Sequence, residues 1–147
     1  MGYRAGDLVG TWFLVAWTVE YSDGRTTQPF QPDPAGYLMY TADGFMSAVI
    51  YTQRRDRFVS EDVRKVDAND KARAFDQYFH YAGTWRASGD DVIHTVTAAL
   101  NPNMIGTDQV RHVELSGPNL VLSATEQLAA GRGSRFHRLA WRRTTIA

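Results

Sequence analysis

The sequence predicts an all-β chain: a single antiparallel up-and-down β-barrel of eight to ten strands, with one helix between the first hairpins and a C-terminal meander. Three observations carry this expectation. A long, apolar, β-rich segment runs from Leu8 to Tyr21 and opens on Gly10-Thr11-Trp12. Short strand-like runs punctuated by turn residues fill most of the remaining chain, the pattern of hairpin-connected strands. One stretch, near residues 69–80, has helical spacing. The 147 residues suit one domain, 1–147, with a real core. A barrel of about eight strands is just wide enough to hold one small ligand.

In chain order, the first strand covers about 8–21 and ends at Ser22-Asp23-Gly24, where Gly accepts positive φ and Asp bonds its own backbone. Residues 25–30 form a short extended piece. Gln31 to Gly36 reads as a loop, because its two prolines cannot donate to a ladder. Tyr37–Thr41 and Phe45–Thr52 flank Ala42-Asp43-Gly44 and make the clearest hairpin. Both faces of Phe45–Tyr51 are apolar, so the outer one calls for cover by a helix or a second subunit. Residues 53–65 are charged and lack a strand period. A helix is expected from Asn69 to about His80, with Ala72, Phe75 and Phe79 on one face. Beyond it lie strands at about 81–86, 92–98, 107–115, 120–125 and 135–144. Ala82-Gly83-Thr84-Trp85 echoes the opening Gly-Thr-Trp, which is too short to establish a duplication.

Composition narrows the function. Sixteen basic and sixteen acidic residues cancel, against the basic excess that nucleic acid or an anionic membrane would demand. There is no cysteine, which excludes disulfides and Cys-based zinc sites. No apolar run reaches the length of a membrane span, and the first residues lack an apolar signal core. The expected location is cytoplasmic. Aromatic residues make up 12% of the chain, enough both to fill a core and to line a pocket for a flat apolar molecule.

Several of these pieces together resemble the bacterial lipocalin-like domain family. They are Leu8-Val9-Gly10-Thr11-Trp12, then Asp33-Pro34-x-Gly36-Tyr37-Leu38-x-Tyr40-Thr41-x-Asp43-Gly44-x-Met46-Ser47. Tyr81-x-Gly83-Thr84-Trp85 and His94 come next, then Asn101-Pro102-Asn103, Gly106-Thr107-Asp108-Gln109-x-Arg111 and finally Leu139-x-Trp141. The resemblance covers nearly the whole length and is most specific between Asn101 and Arg111. It implies a small barrel with a cavity, whose first-strand Trp12 plugs one end beneath a basic residue of the last strand, Arg142 or Arg143. It implies no catalytic signature.

The strands at 92–98 and 107–115 carry the richest polar set. With Ala98 opposite Asp108, His94 faces His112, and one face holds His94, Asp108, His112 and Glu114. A one-residue slip puts His94 opposite Arg111 instead. His94 is either a neutral, structurally bonded imidazole or a cavity acid/base. Arg111 is either a surface cation or an interior clamp for a carboxylate, enolate or phenolate. Tyr40, Tyr51, Tyr81, Trp85, Asn101, Asp108 and His112 are the candidate ligand-binding residues. A metal site from His94, His112 and Glu114 lacks the usual spacings, so no metal is expected. Gly131-Arg132-Gly133-Ser134 is too short to cradle phosphate, there is no nucleophile elbow, and no cofactor is expected.

The expected partner is a small, largely apolar, cyclic or polyketide-like molecule, with a homodimer as a candidate assembly. Two functions compete. One is a cofactor-independent isomerase or cyclase of secondary metabolism, with His94 as acid/base and Arg111 as electrostatic stabiliser. The other is a non-catalytic intracellular carrier or sensor. A cone-shaped α+β fold with several N-terminal helices is disfavoured by the long first strand.

Overall fold

Interior and exterior positions alternate along the strands of this protein, and pairing of the first long strand with the last closes them into a barrel. The computed structural model describes residues 2–144. The strands are β1 (Gly10–Tyr21), β2 (Thr26–Thr27), β3 (Pro34–Tyr40), β4 (Phe45–Thr52), β5 (Tyr78–Ser88), β6 (Asp91–Ala99), β7 (Asp108–Ser116), β8 (Asn119–Gln127) and β9 (Ser134–Arg143). The sheet order is β2-β1-β3-β4-β5-β6-β7-β8-β9, and β1 also pairs with β9. The eight strands other than β2 therefore close on themselves, all antiparallel, while β2 is a two-residue flap on the end of β1. Closure leaves no unpaired sheet edge in the ring.

Burial follows the period of two that a half-solvated strand requires. Leu38 and Tyr40 on β3, Met46, Ala48 and Ile50 on β4, and Val92, His94 and Val96 on β6 are buried. Their neighbours Tyr37, Met39 and Phe45 face solvent. On β1 the period breaks. The pairing with β9 shifts between Leu14 and Ala16, a bulge at Val15. Trp12 and Leu14 point inward before it, and Trp17 and Val19 after it, although Trp12 and Trp17 have opposite parity.

Strand direction defines two ends. The starts of β1, β4, β6 and β8 share one end with the finishes of β3, β5, β7 and β9. A 3₁₀ turn at Ala5–Leu8 tucks across that end. Trp12 fills it, wholly buried, and its Nε1–H donates to the Leu8 carbonyl at 3.0 Å. Arg143 rather than Arg142 lies over the indole, with its guanidinium carbon 4.1 Å from the ring centroid. The same guanidinium donates to the carbonyls of Val9 and Asp7. Gly10 makes room for it: a Cβ there would sit 2.6 Å from an Arg143 nitrogen. The second Gly-Thr-Trp has a different task. A Cβ on Gly83 would collide with the Thr95 carbonyl, at a bulge between β5 and β6. Trp85 then packs on Tyr40 and donates to the Thr41 carbonyl.

Three expectations are corrected. The helix α1 spans Ala68–Asp76, not 69–80, because Gln77 caps it and Tyr78–His80 already pair with Val49–Tyr51. Phe79 is thus a strand residue that packs against the core, and His80 bonds Ser47 across the β4–β5 ladder. Residues 34–36 belong to a strand rather than a loop. The register of β6 on β7 matches neither expected alignment: His94 faces Gln109, Val92 faces Arg111 and Asp91 faces His112. The reason is local. One extra residue, Thr97, bulges from β6, and its last residues pair with β5 alone, so the ladder to β7 ends at Thr95–Asp108. The α-helix α1 contacts β5. The outer apolar face at Phe13, Tyr37, Met39 and Phe45 stays exposed.

Candidate functional site

A cavity of about 680 Å³ occupies the barrel between the plugged end and the opposite one. Its wall is largely apolar: Trp17, Leu38, Ala48, Ile50, Phe79, Leu122, Leu139 and Trp141. Polar residues line the rest of it, among them Tyr81, His94, Gln109, Arg111, Glu126, Arg135 and His137, and such groups orient a ligand within an apolar pocket.

The deepest are joined in a relay. The Tyr40 hydroxyl lies 2.7 Å from Nε2 of His94, and the Tyr81 hydroxyl lies 2.7 Å from Nδ1. His94 is 1% exposed, and burial, with Arg111 adding to it, pushes its pKa down to about 3. The imidazole is therefore neutral and has one donor and one acceptor nitrogen. Burial holds both phenols above their ordinary pKa. Hydrogen-bond satisfaction then sets the direction. Among the described residues Tyr40 has no partner but His94, and it does not line the cavity, so its O–H donates to Nε2. Nδ1–H then donates to the Tyr81 oxygen, which leaves the Tyr81 proton free. Tyr81 does line the cavity. The opposite tautomer would strand a phenolic proton inside the core, at a cost of about 1–3 kcal/mol.

Two further donors line the same cavity. Arg111 faces inward from β7. Its guanidinium donates to the Gln109 Oε1 and to the Val110 carbonyl, both at 3.1 Å, and Gln109 is in turn fixed on Thr107. No carboxylate pairs with Arg111 among the described residues. Trp141 is 2% exposed, and its Nε1–H has no hydrogen-bond partner among the described residues.

The far end of the cavity is ringed by a separate cluster. Glu126 holds Arg135 in a two-pronged pair at 2.6 and 3.1 Å, and it accepts from His137 Nε2 at 2.9 Å. These bonds, that to Arg135 first, lower the Glu126 pKa to about 2. His137 Nδ1 accepts from the Trp17 indole, which fixes its tautomer. The ring of Phe30 packs on Trp17.

The structure thus brings His94, Arg111, Tyr40 and Tyr81 together and separates the other candidates from them. Asn101 sits at the rim, exposed, with its side chain accepting from the Asn103 amide. Trp85 packs beneath Tyr40 and is not part of the lining. Tyr51 points outward, beside Tyr37. Asp108 borders the rim, but its carboxylate bonds Thr95 on the outer wall. His112 is outside as well, 3.6 Å from Asp91. The shifted register is the cause: Gln109 and Arg111 take the inner face of β7, and Asp108, His112 and Glu114 take the outer one. His94, His112 and Glu114 therefore lie on opposite faces of the sheet and cannot share one metal ion.

Sequence reasoning missed Trp141 as a donor, Gln109 as a brace for Arg111, and the Glu126–Arg135–His137 ring. Alternation along β9 was the available signal, since Arg135, His137, Leu139 and Trp141 all fall on one face.

The model of a family described as a lipocalin-like domain matches residues 9–144. No curated protein matches. Among solved structures, a lipoprotein, YedD from Klebsiella pneumoniae subsp. pneumoniae MGH 78578, is 13% identical. The match covers 99% of this chain and 78% of that one, with a TM-score of 0.44.

Proposed function

Because the chain belongs to the lipocalin-like domain family, we propose that its barrel binds a small, largely apolar, cyclic or polyketide-like molecule and acts on it as a cofactor-independent isomerase or cyclase. The observation that carries this reading is the Tyr40–His94–Tyr81 relay. A container for an apolar molecule needs no buried imidazole held by two phenols, and burying those groups costs stability unless every bond is made. The relay delivers one oriented phenolic proton to a largely apolar cavity. There it can hydrogen-bond and polarise a carbonyl oxygen of a substrate that rearranges or closes a ring without losing a carbon-bound proton, and a fixed donor stabilises the charge that develops on that oxygen in the transition state. The cavity wall holds the rest of the substrate in a productive fold.

The roles differ from the sequence expectation in one respect. A neutral, doubly bonded His94 is a positioning residue that acts through Tyr81, and Tyr81 is the group that meets the substrate. Arg111 supplies the positive potential nearby.

A second reading, a non-catalytic carrier or sensor, draws on a specific observation. Among the described residues, the carboxylates bordering the cavity are Glu126, tied to Arg135 and His137, and Asp108, turned outward. Neither is placed to take a proton from a carbon deep inside. Native mass spectrometry of protein purified from its own host separates the readings. A co-purifying molecule that is transformed on prolonged incubation supports the isomerase or cyclase. The same molecule recovered unchanged supports the carrier. Protein that neither retains nor takes up any small molecule refutes both.

No helix among the described residues is long and apolar enough to cross a membrane. A cytoplasmic location is part of this proposal, and cell fractionation tests it. The exposed outer face at Phe13, Tyr37, Met39 and Phe45 is where a homodimer would form. Sedimentation of the wild type against Phe13→Ser tests that assembly.

A further inference from the structure

We propose that the cavity selects ligands bearing a carboxylate, which Arg111 receives together with the free N–H of Trp141. This rests on the small-molecule reading above and names the chemical class of its ligand. Three observations converge. First, Arg111 is permanently charged and faces the cavity, yet its described partners are neutral oxygens of Gln109 and Val110. A guanidinium drawn out of water is stabilised by a counter-charge, and its fork matches a carboxylate.

Second, among the described residues the lining offers no such counter-charge of its own. His94 and both phenols are neutral, the Asp108 carboxylate is bonded to Thr95 on the outer wall, and Glu126 is held by Arg135 at the far end. Third, the Trp141 Nε1–H is buried without a partner among the described residues, and Trp141 lines the same cavity. An indole nitrogen only donates, so the missing group is an acceptor. The two donors share one side of the chemistry: each awaits oxygen lone pairs, and one of them carries a positive charge.

Braced geometry supports a built site over a stray cation. Thr107 fixes Gln109, and Gln109 fixes Arg111. The apolar part of the lining, Trp17, Leu38, Ile50, Phe79, Leu122 and Leu139 among it, fits a hydrocarbon or ring body behind the carboxylate head.

Fluorescence titration with cis-parinaric acid and its methyl ester tests this at neutral pH. The two probes share an apolar polyene and differ in the charge of one end. Wild type is expected to bind the acid at least about tenfold more tightly than the ester, as one charge-assisted pair implies. Arg111→Met should bring the two within about twofold while ester binding is retained, which also reports an intact barrel. Arg111→Lys keeps the charge and should keep part of the preference, separating loss of charge from loss of fold. Trp141→Phe should weaken the acid by a few-fold and leave the ester unchanged. Equal binding of acid and ester by wild type, or a preference that survives Arg111→Met, overturns the carboxylate assignment and leaves the small-molecule reading standing. Failure of wild type to bind either probe counts against both.

Discussion

The barrel contains two tryptophan–arginine neighbourhoods, and their difference separates its architecture from its chemistry. At the plugged end, Trp12 donates to Leu8, and Arg143 covers the indole while donating to the Val9 and Asp7 carbonyls. Every polar group there is answered from within the chain. In the cavity, among the described residues, Trp141 has an N–H with no partner, and Arg111 has neutral acceptors but no counter-charge. The residue types are the same and so is their burial among apolar walls. A satisfied set holds the fold together. An unsatisfied set lining a hollow is kept at a cost in stability, and that cost is the sign of a ligand.

The largest effect expected from this contrast is at the plug. Trp12→Ala removes a fully buried indole from the closed end and should cost about 3–5 kcal/mol in denaturant unfolding. A loss below about 1 kcal/mol would remove Trp12 from its structural role.

The second effect is acid sensitivity at the cavity. His94 has a folded pKa of about 3 against an ordinary 6.5. The unfolded chain therefore binds a proton that the folded chain refuses, and stability falls as pH drops below 6.5 toward 3. By about pH 4 the loss from this group should be on the order of 3 kcal/mol. His94→Gln, whose amide can both donate and accept between the two phenols, should flatten the unfolding midpoint over that window. Glu126, with its pKa lowered to about 2, contributes stability above its ordinary 4.5 that is lost toward 2, below most of this window. Parallel curves for wild type and His94→Gln would sink the neutral-relay account.

The third effect sharpens the comparison itself. Arg143→Met deletes two charged hydrogen bonds and a cation–π contact and should cost about 2 kcal/mol. Arg111→Met deletes a partly buried cation without a counter-charge among the described residues and should change stability by less than about 0.5 kcal/mol, or raise it. Equal losses at the two positions would erase the distinction between them.

Much of the fold was legible because hairpins carry their own turn chemistry. Ala42-Asp43-Gly44 and Ser116-Gly117-Pro118-Asn119 supply it, and the apolar runs between such turns have strand length. The resemblance to the lipocalin-like family was legible in the same residues. What escaped was phase. The bulge at Val15 brings Trp17 inward beside the cavity, and nothing in Leu14-Val15-Ala16 marks it. The bulge at Thr97 sets the register that sends Arg111 in and His112 out. Tyr78-Phe79-His80 suits a helical face and a strand equally, so the end of α1 went unread. Among candidate residues, His94, Arg111 and Tyr81 were accessible from their types and strands. Trp141 was not, because an unanswered N–H exists only once the surrounding carbonyls are placed.

The most direct test of the central contrast is the set of four indole N–H resonances in an ¹⁵N NMR spectrum, from Trp12, Trp17, Trp85 and Trp141. On titration with cis-parinaric acid, the Trp141 resonance is expected to move downfield as its N–H gains an acceptor, while the Trp12 and Trp85 resonances, already bonded to carbonyls, stay in place. A Trp141 resonance that holds still while the probe binds would contradict the account.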